Sequence, residues 1–321
     1  MLKRILIIVL LSCLVTGCNS KRDRIYKGTL QFPLPSADIA FETIENVEGR
    51  VSGDNVVGFY SIKDGTITTK NFGPDLINPD YLNPETLISI NKQGNPGSII
   101  GFGGYVYIVK GDRFLECHSA STFGGDIQPH KQNILINQTS TQINLISSED
   151  CSLLRVVISK ADLSEFGPNV WIGSYSLSEN EEFIILSLDR SSEGLLVNKN
   201  LVDMSYKIYN TFGIHPSISP DQTKVAYLAI DGIHVMNLEG ENDELLVPYQ
   251  TSNSGNAFFD RGKQPLPKWS KDGSKLIYHK CNQLSFKDCE NIANYYIYEY
   301  DIKTRTEILL FHSGINPSYR P

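Results

Sequence analysis

Three short segments recur at a nearly constant interval, and no other feature of this chain narrows its fold as much. His215-Pro216-Ser217-Ile218-Ser219-Pro220-Asp221, Leu266-Pro267-Lys268-Trp269-Ser270-Lys271-Asp272 and Asn316-Pro317-Ser318-Tyr319-Arg320-Pro321 set prolines 51 and then 50 residues apart. Such a period marks an array of small repeated units. The stretch after the first segment reads as strands Lys224–Leu228, Ile233–Leu238 and Glu244–Val247, broken by Asp231-Gly232 and Glu239-Gly240. After the second come Lys275–Tyr278, Tyr295–Asp301 and Thr306–Leu310. With the motif strand itself, each unit is four short strands. Within the motif, Pro220 presets φ for a tight turn, Asp221 or Asp272 bonds local backbone, and Gly273 tolerates positive φ. The residue two before the turn, Ile218 or Trp269, and Tyr319 in the last copy, are expected to pack between adjacent sheets. Four strands with both faces buried cannot stand alone, so the units must stack about an axis.

Trp269-Ser270-Lys271-Asp272-Gly273 with Lys275-Leu276-Ile277-Tyr278, and Ser219-Pro220-Asp221 with Lys224-Val225-Ala226-Tyr227, resemble the repeat of the TolB-type β-propellers. Gln222 stands where that pattern carries Gly. The likeness covers about residues 213–321, and Ser176–Asn180 followed by Phe183–Leu186 is a degenerate copy. Earlier segments carry only hairpin signals: Val56–Tyr60 turning at Lys63-Asp64-Gly65, and Tyr105–Val109 turning at Gly111-Asp112. The resemblance implies an all-β fold of about six four-stranded antiparallel blades. Because the chain stops after the third motif, that strand is expected to complete a blade with N-terminal strands near Val47 to Thr69. A composition of 16 Tyr, 14 Phe, 25 Gly and 15 Pro against 3 Met suits short strands and tight turns.

Met1 to Cys18 has the parts of an export signal: basic Lys3-Arg4, the apolar run Ile5–Leu14 and a small-residue end. It is too short for a stop-transfer helix. Val15-Thr16-Gly17-Cys18 resembles the lipobox of bacterial lipoproteins at all four positions. That resemblance implies a diacylated Cys18 thiol and cleavage before it; the alternative is an ordinary signal with a chance Cys. Several acyl chains, at ~0.8 kcal/mol per buried methylene, anchor stably. Asn19 rather than Asp follows the Cys, which by the enteric sorting rule implies the outer membrane. Residues 1–17 are thus read as leader, 18–35 as lipidated Cys and tether, and 36–321 as one propeller domain.

Without Lys3 and Arg4, 27 basic residues face 36 acidic ones, a net of −9. Nucleic acid is excluded as a partner, because phosphate neutralisation needs concentrated Lys and Arg. Cys117, Cys151, Cys281 and Cys289 remain, and four cysteines in an oxidising compartment suggest two bridges. Cys281 with Cys289 would staple a hairpin insertion, leaving Cys117 with Cys151; metal binding is the rival, without CxxC spacing to support it.

Chemistry is sparse. No GxSxG, phosphate-cradling loop or HExxH occurs. The His residues 118, 130, 215, 234, 279 and 312 are read as scattered, and no metal or cofactor is assigned. The alternative is that channel histidines hold a metal for carbohydrate processing, as the resemblance to oligogalacturonate lyases within the family implies. Phe258-Phe259-Asp260-Arg261, in the repeat-breaking loop Tyr249–Gln264, suits a protein-binding hot spot or a loop covering the blades. Together these imply a lipid-anchored interaction module facing the periplasm, with an envelope protein as its unidentified partner. Cys18→Ser is expected to abolish fatty-acid labelling and release the protein from membranes; unchanged labelling contradicts the lipobox.

Overall fold

A computed structural model describes residues 25–30, 33–47, 50–72, 76–91, 104–121, 127–190, 193–209, 212–249, 266–281 and 294–321. Among them are 25 strands and one 3-10 helix, Ala161–Phe166. The strands form six antiparallel sheets arranged as the blades of a propeller.

From the axis outward, blade 1 is β25 (Ile315–Tyr319), β2 (Ile39–Val47), β3 (Arg50–Tyr60) and β4 (Ile67–Lys70). Blade 2 is β5 (Leu76–Asn83), β6 (Thr86–Asn91), β7 (Tyr105–Lys110) and β8 (Arg113–Ser121). Blade 3 is β9 (Ile127–His130), β10 (Asn133–Thr139), β11 (Gln142–Ser147) and β12 (Leu153–Ile158). Blade 4 is β13 (Val170–Leu177), β14 (Phe183–Arg190), β15 (Glu193–Asn200) and β16 (Tyr206–Tyr209). Blade 5 is β17 (Ile214–Ile218), β18 (Lys224–Leu228), β19 (Gly232–Asn237) and β20 (Glu244–Pro248). Blade 6 is β21 (Lys268–Trp269), β22 (Lys275–Cys281), β23 (Tyr295–Asp301) and β24 (Thr306–His312). Both hairpins expected upstream, β3–β4 and β7–β8, are present.

The middle strands are apolar run after apolar run, because neighbouring blades cover both of their faces. Val225–Leu228 of β18, Ile134–Asn137 of β10 and Leu276–His279 of β22 are buried without a break. The outermost strands β4, β12 and β24 are mostly exposed. Accordingly the buried apolar residues fall into six clusters, each at the junction of two adjacent blades. Ile218, Trp269 and Tyr319 pack against three of them, as the motif implied.

The ring closes as expected, one C-terminal strand sewn to three N-terminal ones: Tyr319 opposes Ile39 and Ser318 opposes Ala40. The N-terminal contribution begins at Ile39, earlier than the hairpin signals suggested. The seam is packed around Phe41, whose ring contacts Phe311 at 4.5 Å between centroids and occupies the space that side chains at Gly58 and Gly314 would need.

Ile25–Thr29, inside the stretch read as tether, is instead a paired strand. This β1 adds a fifth strand to the outer edge of blade 2, with Ile25 opposite Cys117 and Thr29 opposite Arg113. The segment has no strong pattern of its own; the open edge of β8 supplies the hydrogen-bonding partners. Leu30 N and Leu34 N continue the attachment by donating to Asp112 O and Gly111 O at 2.6 and 2.8 Å.

Strand alternation gives the disc two unlike faces. One, the turn face, carries the first-to-second connections of blades 2 to 6 and the third-to-fourth connections of all six. The other, the loop face, carries the second-to-third connections and the links between blades. The three longest connections, 92–104, 249–267 and 282–294, all join strand ends of the loop face.

Candidate functional site

The six innermost strands surround an axial cavity of about 330 Å³, with residues of each contributing to its wall. Several of these strands are bent by a bulge. Ile214 and Ser217 of β17 oppose Leu228 and Ala226, so one extra residue is inserted, and the same count holds for β5 and β25. His215 and Asn316 sit at these bulges with φ of 52°, a left-handed conformation in which His and Asn are enriched. The following Pro216 and Pro317 have no N–H to offer the ladder, which is why bulges accept them. In β13 the extra residue is Gly173.

The sequence signal was broader than the motif suggested. Asn78-Pro79-Asp80-Tyr81 in β5 copies Asn316-Pro317-Ser318-Tyr319, and Gln128-Pro129-His130 in β9 follows 50 residues after it. Five of the six inner strands thus carry a proline within or just before them.

Short polar side chains on these strands bond the neighbouring blade. Ser174 Oγ and Ser176 Oγ of blade 4 accept from His215 N and Ile218 N of blade 5, at 2.7 and 3.1 Å. Trp269 Nε1 donates to Ser217 O at 2.8 Å, and Gln128 Nε2 donates to Tyr175 O. Asp80 is the hub of the closure: its Oδ2 receives Lys268 Nζ of blade 6 at 2.7 Å, and its Oδ1 receives the Ser318 hydroxyl of blade 1. One buried carboxylate therefore ties three blades. Asn316 Nδ2 donates to Glu42 Oε2 at 3.0 Å and Asn316 N to His279 Nδ1 at 3.1 Å. Tyr81 lies beside Asp80, and burial pushes its phenol up to about 12.

The described histidines lie in different parts of the ring. His215 lines the axis, His279 is buried in β22, His234 lies between Asp231 and Asp243 at 2.9 and 3.1 Å, and His312 is in β24. Among the described residues no group of three or more His, Cys, Asp or Glu is placed to hold a metal ion. His118 lies in β8. His130 Nε2 is 3.1 Å from Glu181 Oε1, and burial holds its imidazole below the usual value. Glu181 also receives Lys131 at 2.8 Å and pairs with Arg155, which joins blade 4 to blade 3 on the turn face. Hydrogen bonding from Lys131 leads the causes that depress its carboxyl to about 2.

Cys117 of β8 and Cys151 of the β11–β12 turn are disulfide-bonded, Cα atoms 5.8 Å apart, and the link joins blade 2 to blade 3. Cys281 ends β22 and is disulfide-bonded. Cys18, Cys289, Phe258, Phe259, Asp260 and Arg261 lie outside the described residues.

The fold matches solved structures far better than the sequence does. A putative TolB from Agrobacterium tumefaciens aligns with a TM-score of 0.56 at 11% identity, over 88% of this chain and 92% of that one. A chain of the nidogen/laminin complex aligns with a TM-score of 0.54 at 8% identity, over 88% and 97%. The likeness is one of fold. No protein-family model matches the chain, and no curated protein matches it in sequence.

Two measurements check this electrostatic reading. Asp80→Ala should lower the unfolding free energy by about 2–4 kcal/mol, since it strands Lys268. Adding Lys268→Met should recover part of that loss in chemical denaturation, whereas additive losses contradict the coupling. Glu181→Gln should cost about 1–2 kcal/mol at neutral pH, discounted for partial exposure. Because the folded carboxyl titrates near 2 and its ordinary value is 4.5, the stabilisation is full above 4.5. The gap between wild type and variant should therefore close as pH falls from 4.5 towards 2; a gap independent of pH contradicts the pairing.

Proposed function

We propose that this protein is an exported lipoprotein, acylated on Cys18, whose propeller serves as a protein-interaction module at the bacterial envelope, facing the periplasm from the outer membrane. The four-position lipobox match at Val15–Cys18 supports the anchor. One observation carries the interaction reading: much of the polar side-chain chemistry lining the axis goes into holding blades together. Asp80 is engaged by Lys268 and Ser318, Ser174 and Ser176 by backbone of blade 5, and the Trp269 indole by Ser217. What the ring offers a partner is its two faces and its rim, a platform on which binding residues are displayed by a rigid scaffold. The fold likeness to a putative TolB, and to a chain of the nidogen/laminin complex, agrees with a propeller used for binding proteins. The acidic chain favours a protein partner over nucleic acid.

Photocrosslinking amino acids at exposed Trp171 and Ile230 on the loop face, and at Ile62 and Val202 on the turn face, test this in cells. The expected outcome is adducts of one defined mass from one face and none from the other. Adducts absent at every position, with the protein folded and membrane-bound, contradict the interaction role.

A further inference from the structure

We propose that the loop face of the propeller is turned towards the bilayer and the turn face away from it. This rests on the lipid-anchored reading above and adds an orientation to it.

The pairing of β1 sets the geometry. A tether running to residue 35 would leave the propeller free to tumble, but β1 fixes the chain to blade 2 from Ile25 onward. Only seven peptide steps separate Cys18 from Ile25, at most about 25 Å fully extended. Ile25 is opposite Cys117, midway along β8, so about 14 Å of strand lies between it and either end of β8. β1 runs antiparallel to β8, which rises from the turn at Gly111-Asp112 towards the loop face. Traced backwards from Thr29 to Ile25, the chain is therefore heading for the loop face when it leaves the sheet. A leash that short, pointing that way, brings the anchor out beside the loop-face rim of blade 2.

Ordered carboxylates cap the turns of the turn face, with Lys63, Lys131, Lys271, Lys303 and Arg305 on the same connections. Asp64, Asp203, Asp221, Asp272 and Asp301 cap tight turns in four blades, all on the turn face. Hydrogen bonds from the side chains of Thr66, Ser205, Ser219 and Ser270 and from the Thr304 backbone hold these carboxyls below the usual range, so they are ionised near neutrality. Exposed apolar side chains do not decide the matter, since Trp171 and Ile230 stand on the loop face and Ile62 and Val202 on the turn face. The direction in which the short leash leaves β1 does.

The test uses the full-length lipidated protein on vesicles of phosphatidylethanolamine and phosphatidylglycerol carrying a trace of acceptor-headgroup lipid. A coumarin amino acid replaces Ile230 in one sample and Ile62 in the other. Energy transfer to the lipid should be at least twofold greater from position 230, and a ten-residue Gly/Ser insertion between Arg24 and Ile25 should shrink that difference. Equal transfer, or greater transfer from position 62, overturns the orientation, as does a difference that the insertion leaves untouched. Flotation of the same samples separates the two readings: protein that does not float refutes the anchor and this proposal together, whereas floating protein with the wrong transfer order refutes the orientation alone.

Discussion

A four-stranded sheet that is apolar on both faces is stable only between two others, and this requirement governs the whole molecule. Its buried apolar residues form six clusters, each shared by two blades. No blade owns a core, so no blade is stable unless the ring is complete. Completion falls to blade 1, where β25 meets β2 and Phe41 fills the room left by Gly58 and Gly314. At about 25 cal/mol per Å² of apolar surface, an open seam would expose the whole of that cluster to water.

Near the axis the same requirement takes a polar form. Six strands converge on the axial cavity, and backbone amides left over by the bulges need acceptors. Ser174 and Ser176 supply them across the blade 4–blade 5 junction. Asp80, Lys268 and Ser318 do the equivalent at the seam, with charge added. A buried carboxylate of this kind is costly unless each partner is present. Because it stands in blade 2 and draws its partners from blades 1 and 6, correct closure, and not a near miss, is the state that satisfies it.

How much of this the sequence revealed depended on which residues carried each feature. Blades 5 and 6 were legible because a Ser, an Asp and a positive-φ position build their turns: the Ser270 hydroxyl donates to Asp272 Oδ1, which also accepts from the Ser274 amide, and Gly273 has φ of 70°. Gln222 adopts φ of 57° at the corresponding place, so a departure from the motif left the turn intact. Blades 2 and 3 lack those turns, so blade 2 was read only as a hairpin and blade 3 not at all, although Asn78-Pro79-Asp80-Tyr81 repeats the last motif. Closure was legible because an unfinished unit at one end demanded strands from the other. β1 was not, since five residues without alternation become a strand only where an edge awaits them. Asp80 could not be picked out either, because its role comes from partners 188 and 238 residues away in the chain.

The composite blade has a consequence for time as well as for shape. A polypeptide that emerges from its N-terminus first can pair β2 with β3 and β3 with β4 early, and blades 2 to 6 can follow in order. Blade 1 then waits as a three-stranded sheet, its inner edge and one apolar face unprotected, until residues 315–319 appear. The contacts that finish the ring have nearly the largest sequence separation the chain allows, and such contacts form slowly. The vulnerable interval is thus set by the distance in sequence between β2 and β25, and it ends when residues 315–319 pair with Ile39–Val47.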